Sequence, residues 1–134
     1  KIDTNIKIKL INHLSKDIYA NFDYEQFNRL FFNLIKNSIE SIQEKAEKDN
    51  KIDKNIDIEI RERRDYIIIN ILDTGTGFKN KTTKDLIKPY FTTKTKGTGL
   101  GLSIVDKIIS DHNGSINFLN QKNGAKIQII IPNK

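Results

Sequence analysis

Three glycines at alternate positions, Gly97, Gly99 and Gly101, run straight into an apolar stretch from Leu100 to Ser110 that has helical spacing. A chain that enters a helix this way presents backbone amides to an anion. Glycine has no Cβ, so the main chain can approach phosphate oxygens closely, and the helix dipole adds favourable charge. The flanks exclude the commoner phosphate loops. A Walker loop ends in Gly-Lys-Ser/Thr, whereas Leu102 follows Gly101, and a dinucleotide fingerprint needs a glycine where Leu102 stands.

Two further segments precede this run in a fixed order. Asn33-Leu34-Ile35-Lys36-Asn37 places two amides four residues apart, hence on one face of a helix. Asp73-Thr74-Gly75-Thr76-Gly77-Phe78 ends an apolar strand in a carboxylate followed by glycines. A carboxylate there can accept a hydrogen bond from the exocyclic amine of adenine, and Gly75 and Gly77 leave room for a flat base. The alternative is a turn aspartate that caps local backbone amides.

The rest of the chain frames this site. At 134 residues it is expected to form one domain, 1–134, and the absence of an initial Met reads as a fragment of a longer protein. No apolar run approaches the roughly 20 residues that span a bilayer, and the start lacks a signal-peptide core, so a soluble piece is expected. Cysteine is absent, which excludes a disulfide framework and a thiolate metal site. The net charge of +6 is scattered among Asp and Glu, the pattern of a solvated surface rather than of a nucleic-acid stripe.

Hydrophobic periodicity predicts strands at Ile6 to Leu10 and Ile18 to Ala20. A helix follows from the N-cap Asp23 to about Lys45, with Phe27, Leu30, Phe31, Leu34, Ile35, Ser38, Ile39 and Ile42 in period. A hairpin is predicted from Ile56 to Arg61 and Tyr66 to Leu72, then a lysine-rich lid with a helical turn at Asp85-Leu86-Ile87. The glycine-led helix ends near His112 at Asn113-Gly114, and strands Ser115 to Leu119 and Ala125 to Ile131 finish the chain. The expected fold class is an α/β (α+β) two-layer sandwich, a mixed, mostly antiparallel sheet with helices on one face.

The asparagine pair, the Asp-x-Gly-x-Gly turn, Pro89-Tyr90-Phe91-Thr92-Thr93-Lys94 and Gly97 to Val105 together resemble the four sequence boxes of the catalytic domain of bacterial sensor histidine kinases. That domain has the Bergerat-type ATP-binding fold, shared with gyrase B, Hsp90 and MutL. The spelling of the third box looks most like nitrogen-regulation-type sensor kinases. The resemblance implies ATP and Mg²⁺ as cofactors, Asn37 as magnesium ligand and Asn33 as an auxiliary catalytic contact. Asp73, Gly75 and Gly77 would hold adenine. Thr92, Thr93, Lys94, Gly97, Thr98, Gly99, Leu100, Gly101 and Leu102 would close on the phosphates, with Lys94 or Lys96 reaching the γ-phosphate. Tyr90 and Phe91 would anchor the lid.

There are two departures. Many relatives carry an arginine in the lid, and none occurs between Asn80 and Gly97. Relatives often carry a hydroxyl residue where this chain has Ala125.

Asn33 separates the branches. Gyrase B, Hsp90 and MutL resemble one another in placing a glutamate there as general base, and an amide cannot take a proton at neutral pH. A neutral imidazole acceptor is already nucleophilic and needs no such base. His13 and His112 both lack the sequence context of a phosphoacceptor helix and are expected to be structural. The implied function is binding of Mg-ATP and transfer of its γ-phosphate to a histidine on a separate dimerisation domain of the same protein. A response regulator would then be an indirect partner. The implied setting is a cytoplasmic domain, monomeric alone, of a homodimeric parent that can sit in the bacterial inner membrane. The alternatives are an ATPase of the gyrase branch and a degenerate nucleotide-binding interaction module.

Overall fold

A computed structural model describes residues 5–79, 81–89 and 101–133. Five strands form one sheet in the order β1-β2-β3-β5-β4: β1 is Lys7–Asn12, β2 Asn55–Arg63, β3 Tyr66–Asp73, β4 Ser115–Gln121 and β5 Gly124–Pro132. The helices are α1 (Tyr24–Lys48), α2 (Thr83–Leu86) and α3 (Gly101–Asp111). β1 runs parallel to β2, and every other pairing is antiparallel. Parallel neighbours need a crossover connection, which α1 supplies between β1 and β2. The sheet is mixed and mostly antiparallel, as expected.

Alternation assigns the two faces. Ile56, Ile69, Ile71, Ile127, Ile129, Ile131, Ile116 and Phe118 are buried and meet Phe27, Leu30, Leu34 and Ile42 of α1 and Val105, Ile108 and Ile109 of α3. Register places these strand residues on one face: Ile71 pairs with Ile127, and Ile127 with Phe118. Each of the fully enclosed leucines of α1 contributes roughly 1.5–3 kcal/mol by leaving water. The other face carries Asp57, Glu59, Arg61, Lys126 and Gln128, the polar half of the alternation.

Asp23 caps α1 by accepting the Gln26 N–H at 3.0 Å, the sequence-predicted N-cap. The helix continues three residues past the predicted end, to Lys48. Among the described residues, Ile18 to Ala20 form no strand. Three apolar residues have too little length to build a ladder without a neighbouring edge, and the segment instead leads as irregular chain into the Asp23 cap. The order is therefore β-α-β-β-α-α-β-β.

Of the predicted lid, 81–89 is described. There Thr82 and Asp85 form a capping box on α2, and burial of Leu86 pins this turn to the core. No helix among the described residues is long and apolar enough to cross a membrane.

His112 joins the two helices. Its Nε2 accepts the Asp23 N–H at 2.9 Å, so Nδ1 carries the proton and donates to the Ile108 carbonyl at 2.7 Å. Its ring meets Phe27 edge-on, with centroids 4.7 Å apart. His13 lies 3.3 Å from Glu59 Oε2 on the β2 side.

Candidate nucleotide site

The period that buries Leu30, Leu34, Ser38 and Ile42 turns Asn33, Asn37 and Ser41 onto an adjacent stripe of α1, one helical turn apart each. Both ends of the stripe meet another part of the site. At one end, Gly101 opens α3 so near Asn33 that a Cβ there would lie 3.6 Å from Asn33 Oδ1. At the other, Ser41 Oγ accepts the Thr76 N–H at 2.8 Å and lies 3.0 Å from Thr76 Oγ1. Helical rise makes the distance along α1 from Asn33 to Ser41 about 12 Å. The glycine-led helix and the Asp73 turn, far apart in sequence, thus stand at opposite ends of one stripe with Asn37 between them.

Asp73 ends β3 on the helix-covered face and is 7% exposed. Its Oδ1 accepts the Gly75 N–H at 2.9 Å, which is the local turn contact that the sequence allowed. Burial raises its pKa above the ordinary carboxylate value. The Gly75 amide, the Ser38 hydroxyl, the Ala125 amide and the charge of Lys45 each favour the ionised form and offset part of that rise. Lys45 is held near the turn by donating to the Asn123 carbonyl at 3.1 Å.

Gly75 is buried against α1, and a side chain there would collide with Ser41. Ala125 sits directly opposite Asp73 on β5 and is 2% exposed, so no hydroxyl reaches the carboxylate from that strand. One comes from α1 instead. Ser38 is 2% exposed, and its Oγ has no hydrogen-bond partner among the described residues. It lies close enough to favour ionised Asp73 while completing no hydrogen bond of its own. Sequence reasoning counted Ser38 only as a member of the apolar period. The available signal was a hydroxyl residue standing in an otherwise apolar buried stripe.

Leu102 packs its partly buried side chain against the core, which leaves the backbone of the first α3 turn to face a ligand. Tyr90, Phe91, Thr92, Thr93, Lys94, Lys96, Gly97, Thr98, Gly99 and Leu100 lie outside the described residues. The described residues contain no cluster of three or more His, Cys, Asp or Glu that could hold a metal. An amide oxygen such as that of Asn37 would suit a cation whose remaining ligands are phosphate and water, the way Mg²⁺ is usually held.

Comparison with known proteins gives the family and the fold. Residues 22–134 match the model of the family described as histidine kinase-, DNA gyrase B- and HSP90-like ATPase. Sporulation kinase A of Bacillus subtilis is 35% identical over 118 residues, 87% of this chain and 18% of that protein. Nitrogen regulation protein NtrY of Azorhizobium caulinodans is 37% identical over 97 residues, 72% of this chain and 12% of that protein. The chain thus spans less than a fifth of the length of these two curated relatives.

Among solved structures, a nucleotide-free catalytic domain of histidine kinase ThkA superposes with a TM-score of 0.80 at 29% identity, over 96% of this chain and 80% of that one. ThkA is also known in complex with the response regulator protein TrrA, a match at 24% identity, TM-score 0.75, over 97% of this chain and 35% of that one, which speaks for the fold alone. The fold is that of a histidine kinase catalytic domain, and the chain belongs to the histidine kinase-, DNA gyrase B- and HSP90-like ATPase family.

Proposed function

We propose that residues 1–134 are the ATP-binding catalytic domain of a longer sensor histidine kinase, which binds Mg-ATP and donates the γ-phosphate to a histidine on the dimerisation domain of the same protein. The observation that carries this reading is the alignment along α1. The Asp73 turn lies at the Ser41 end, the N-terminus of α3 at the Asn33 end, and Asn37 between them. A nucleotide laid along this stripe puts adenine on Asp73 and its phosphates at the start of α3, where helix N-termini favour anions. Asn37 then faces the phosphates and offers Mg²⁺ one amide oxygen. Gly75 and Gly77 flank the base, Ser38 supplies a second polar group beside Asp73, and Lys94 or Lys96 supplies lid charge.

Asn33 stands at the phosphate end, where an ATPase would need a base. An amide accepts no proton, so water activation has no agent at that position, and transfer to an imidazole relies on positioning and charge. Similarity to ThkA, which is known in complex with a response regulator, supports one as the downstream partner. In this reading the parent protein is membrane-anchored, with its catalytic part on the cytoplasmic side.

The test is calorimetric titration with ATP, ADP and GTP, with and without Mg²⁺, followed by incubation with labelled ATP and a separate phosphoacceptor domain. Adenine-selective binding, label on the acceptor histidine and little hydrolysis alone are expected. Steady hydrolysis without an acceptor would favour the ATPase branch. Binding without transfer to any acceptor would favour an interaction module.

A further inference from the structure

We propose that Asn120 is a positioning residue of the nucleotide site, clasping the Gly77–Lys79 segment so that the adenine end of the pocket is formed before ligand arrives. The inference rests on the nucleotide-binding reading above and assigns a role to a residue far from every recognised box. Asn120 stands near the end of β4, opposite Ala125, which in turn stands opposite Asp73. The three share one cross-strand row on the helix-covered face, with Asn120 two strands, about 10 Å, from Asp73.

Its carboxamide makes two short bonds of opposite polarity to the same segment. Oδ1 accepts the Phe78 N–H at 2.7 Å, and Nδ2 donates to the Lys79 carbonyl at 2.7 Å. A carboxamide carries both a donor and an acceptor, whereas the carboxylate of an aspartate of the same size could only accept. A solvent-exposed side chain gains little from a bond that water could replace, so the bonds matter for the conformation they select. That conformation has a cost. Gly77 has φ +76° and Lys79 φ +54°, and for Lys79 the left-handed region costs on the order of 1 kcal/mol.

The fit is close as well. A Cβ on Gly77 would lie 2.8 Å from Asn120 Oδ1, so the amide packs against the bare α-carbon. Two more contacts from β4 extend the grip: Phe118 meets Phe78 edge-on at 5.4 Å, and its N–H donates to Thr83 Oγ1 at 2.9 Å. β4 therefore holds both ends of the path from the adenine turn to α2, with Asn120 the contact nearest the base.

The experiment compares wild type, Asn120→Ala, Asn120→Asp and the control Asn117→Ala, an exposed residue on the opposite face of β4. Mg-ADP affinity, its dissociation rate, amide exchange of Phe78 without ligand, and the denaturation midpoint are read for each. Asn120→Asp keeps size and the Phe78 bond but sets a carboxylate against the Lys79 carbonyl, so it decides the matter should Asn120→Ala not fold. Both Asn120 variants are expected to bind Mg-ADP about 5- to 30-fold more weakly, with faster dissociation and faster Phe78 exchange. Their midpoints should stay close to that of Asn117→Ala.

Unchanged affinity in Asn120→Asp overturns the positioning role, as does a loss of affinity that merely tracks a loss of global stability. A wild type that binds no nucleotide overturns the nucleotide-site reading, and this role with it. A wild type that binds while the Asn120 variants bind equally well overturns this role alone.

Discussion

Ser41 of α1 occupies the space that a side chain on Gly75 would need, while its hydroxyl accepts the N–H of the next residue, Thr76, at 2.8 Å. One contact thus fixes both the distance and the orientation of the Asp73 turn relative to the helix that carries Asn33 and Asn37. The glycine there is set by packing against a helix as much as by room for a base.

Gly75→Ala should destabilise the domain by about 1–3 kcal/mol, the usual cost of overpacking a tight site. Ser41→Ala should not rescue it, because the Ser41 Cβ and backbone carbon also stand within 2.7 Å and 2.8 Å of the added Cβ. Denaturant midpoints of the two single variants and the double variant check this. Full recovery in the double variant would show that only the hydroxyl is in the way.

Asp73 makes stability and ligand affinity depend on pH in opposite senses. In the unfolded chain its carboxyl ionises near 3.8, and in the folded chain burial moves that value up. Between the two values the folded state holds the extra proton, so stability falls as pH rises from 3.8 through the raised pKa and levels off above it. Asp73→Asn should remove this contribution to the slope. An adenine amine is held more strongly by the ionised acceptor, so nucleotide affinity of the wild type should weaken as pH drops through the same window. At neutral pH Asp73→Asn should bind at least about tenfold more weakly, the scale of a hydrogen bond to a charged group. Equal affinity at pH 7 would remove Asp73 from the site.

Asn37→Ala should leave Mg-free nucleotide binding nearly unchanged and abolish most of the gain that Mg²⁺ provides, about tenfold or more. Calorimetry with and without the metal separates the two. An equal loss under both conditions would make Asn37 a direct nucleotide contact.

His112→Ala should cost about 1–3 kcal/mol by leaving the Asp23 N–H and the Ile108 carbonyl without their partner and opening a gap beside Phe27. Nucleotide affinity at a temperature where the variant is folded should match wild type. A selective loss of binding would give His112 a role beyond joining α1 to α3.

Local signals reached a long way into this protein. The period Phe27, Leu30, Leu34, Ser38, Ile42 is what α1 buries, and Asp23 caps it as its position before that period requires. The predicted β2–β3 hairpin and the last two strands are legible because isoleucine-rich runs flank short polar turns. Ile18 to Ala20 misled because an apolar triplet looks the same whether or not a strand edge is there to pair with it. The end of α1 was misplaced by three residues because a charged last turn resembles a loop in composition.

Sequence alone determined which residue types could bind a nucleotide and on which elements they would sit, since helical and strand periods are local properties of the chain. Tertiary structure decided which of them meet. β3 pairs with β5 rather than β4, and this places Ala125 opposite Asp73 and leaves β4 as the edge from which Asn120 reaches the Gly77–Lys79 segment. The docking of α1 and α3 on that sheet brings Gly101 to Asn33 and leaves the Ser38 hydroxyl beside a buried carboxylate. Such neighbours are set by strand order and helix docking over long separations, and no period along the chain carries that information.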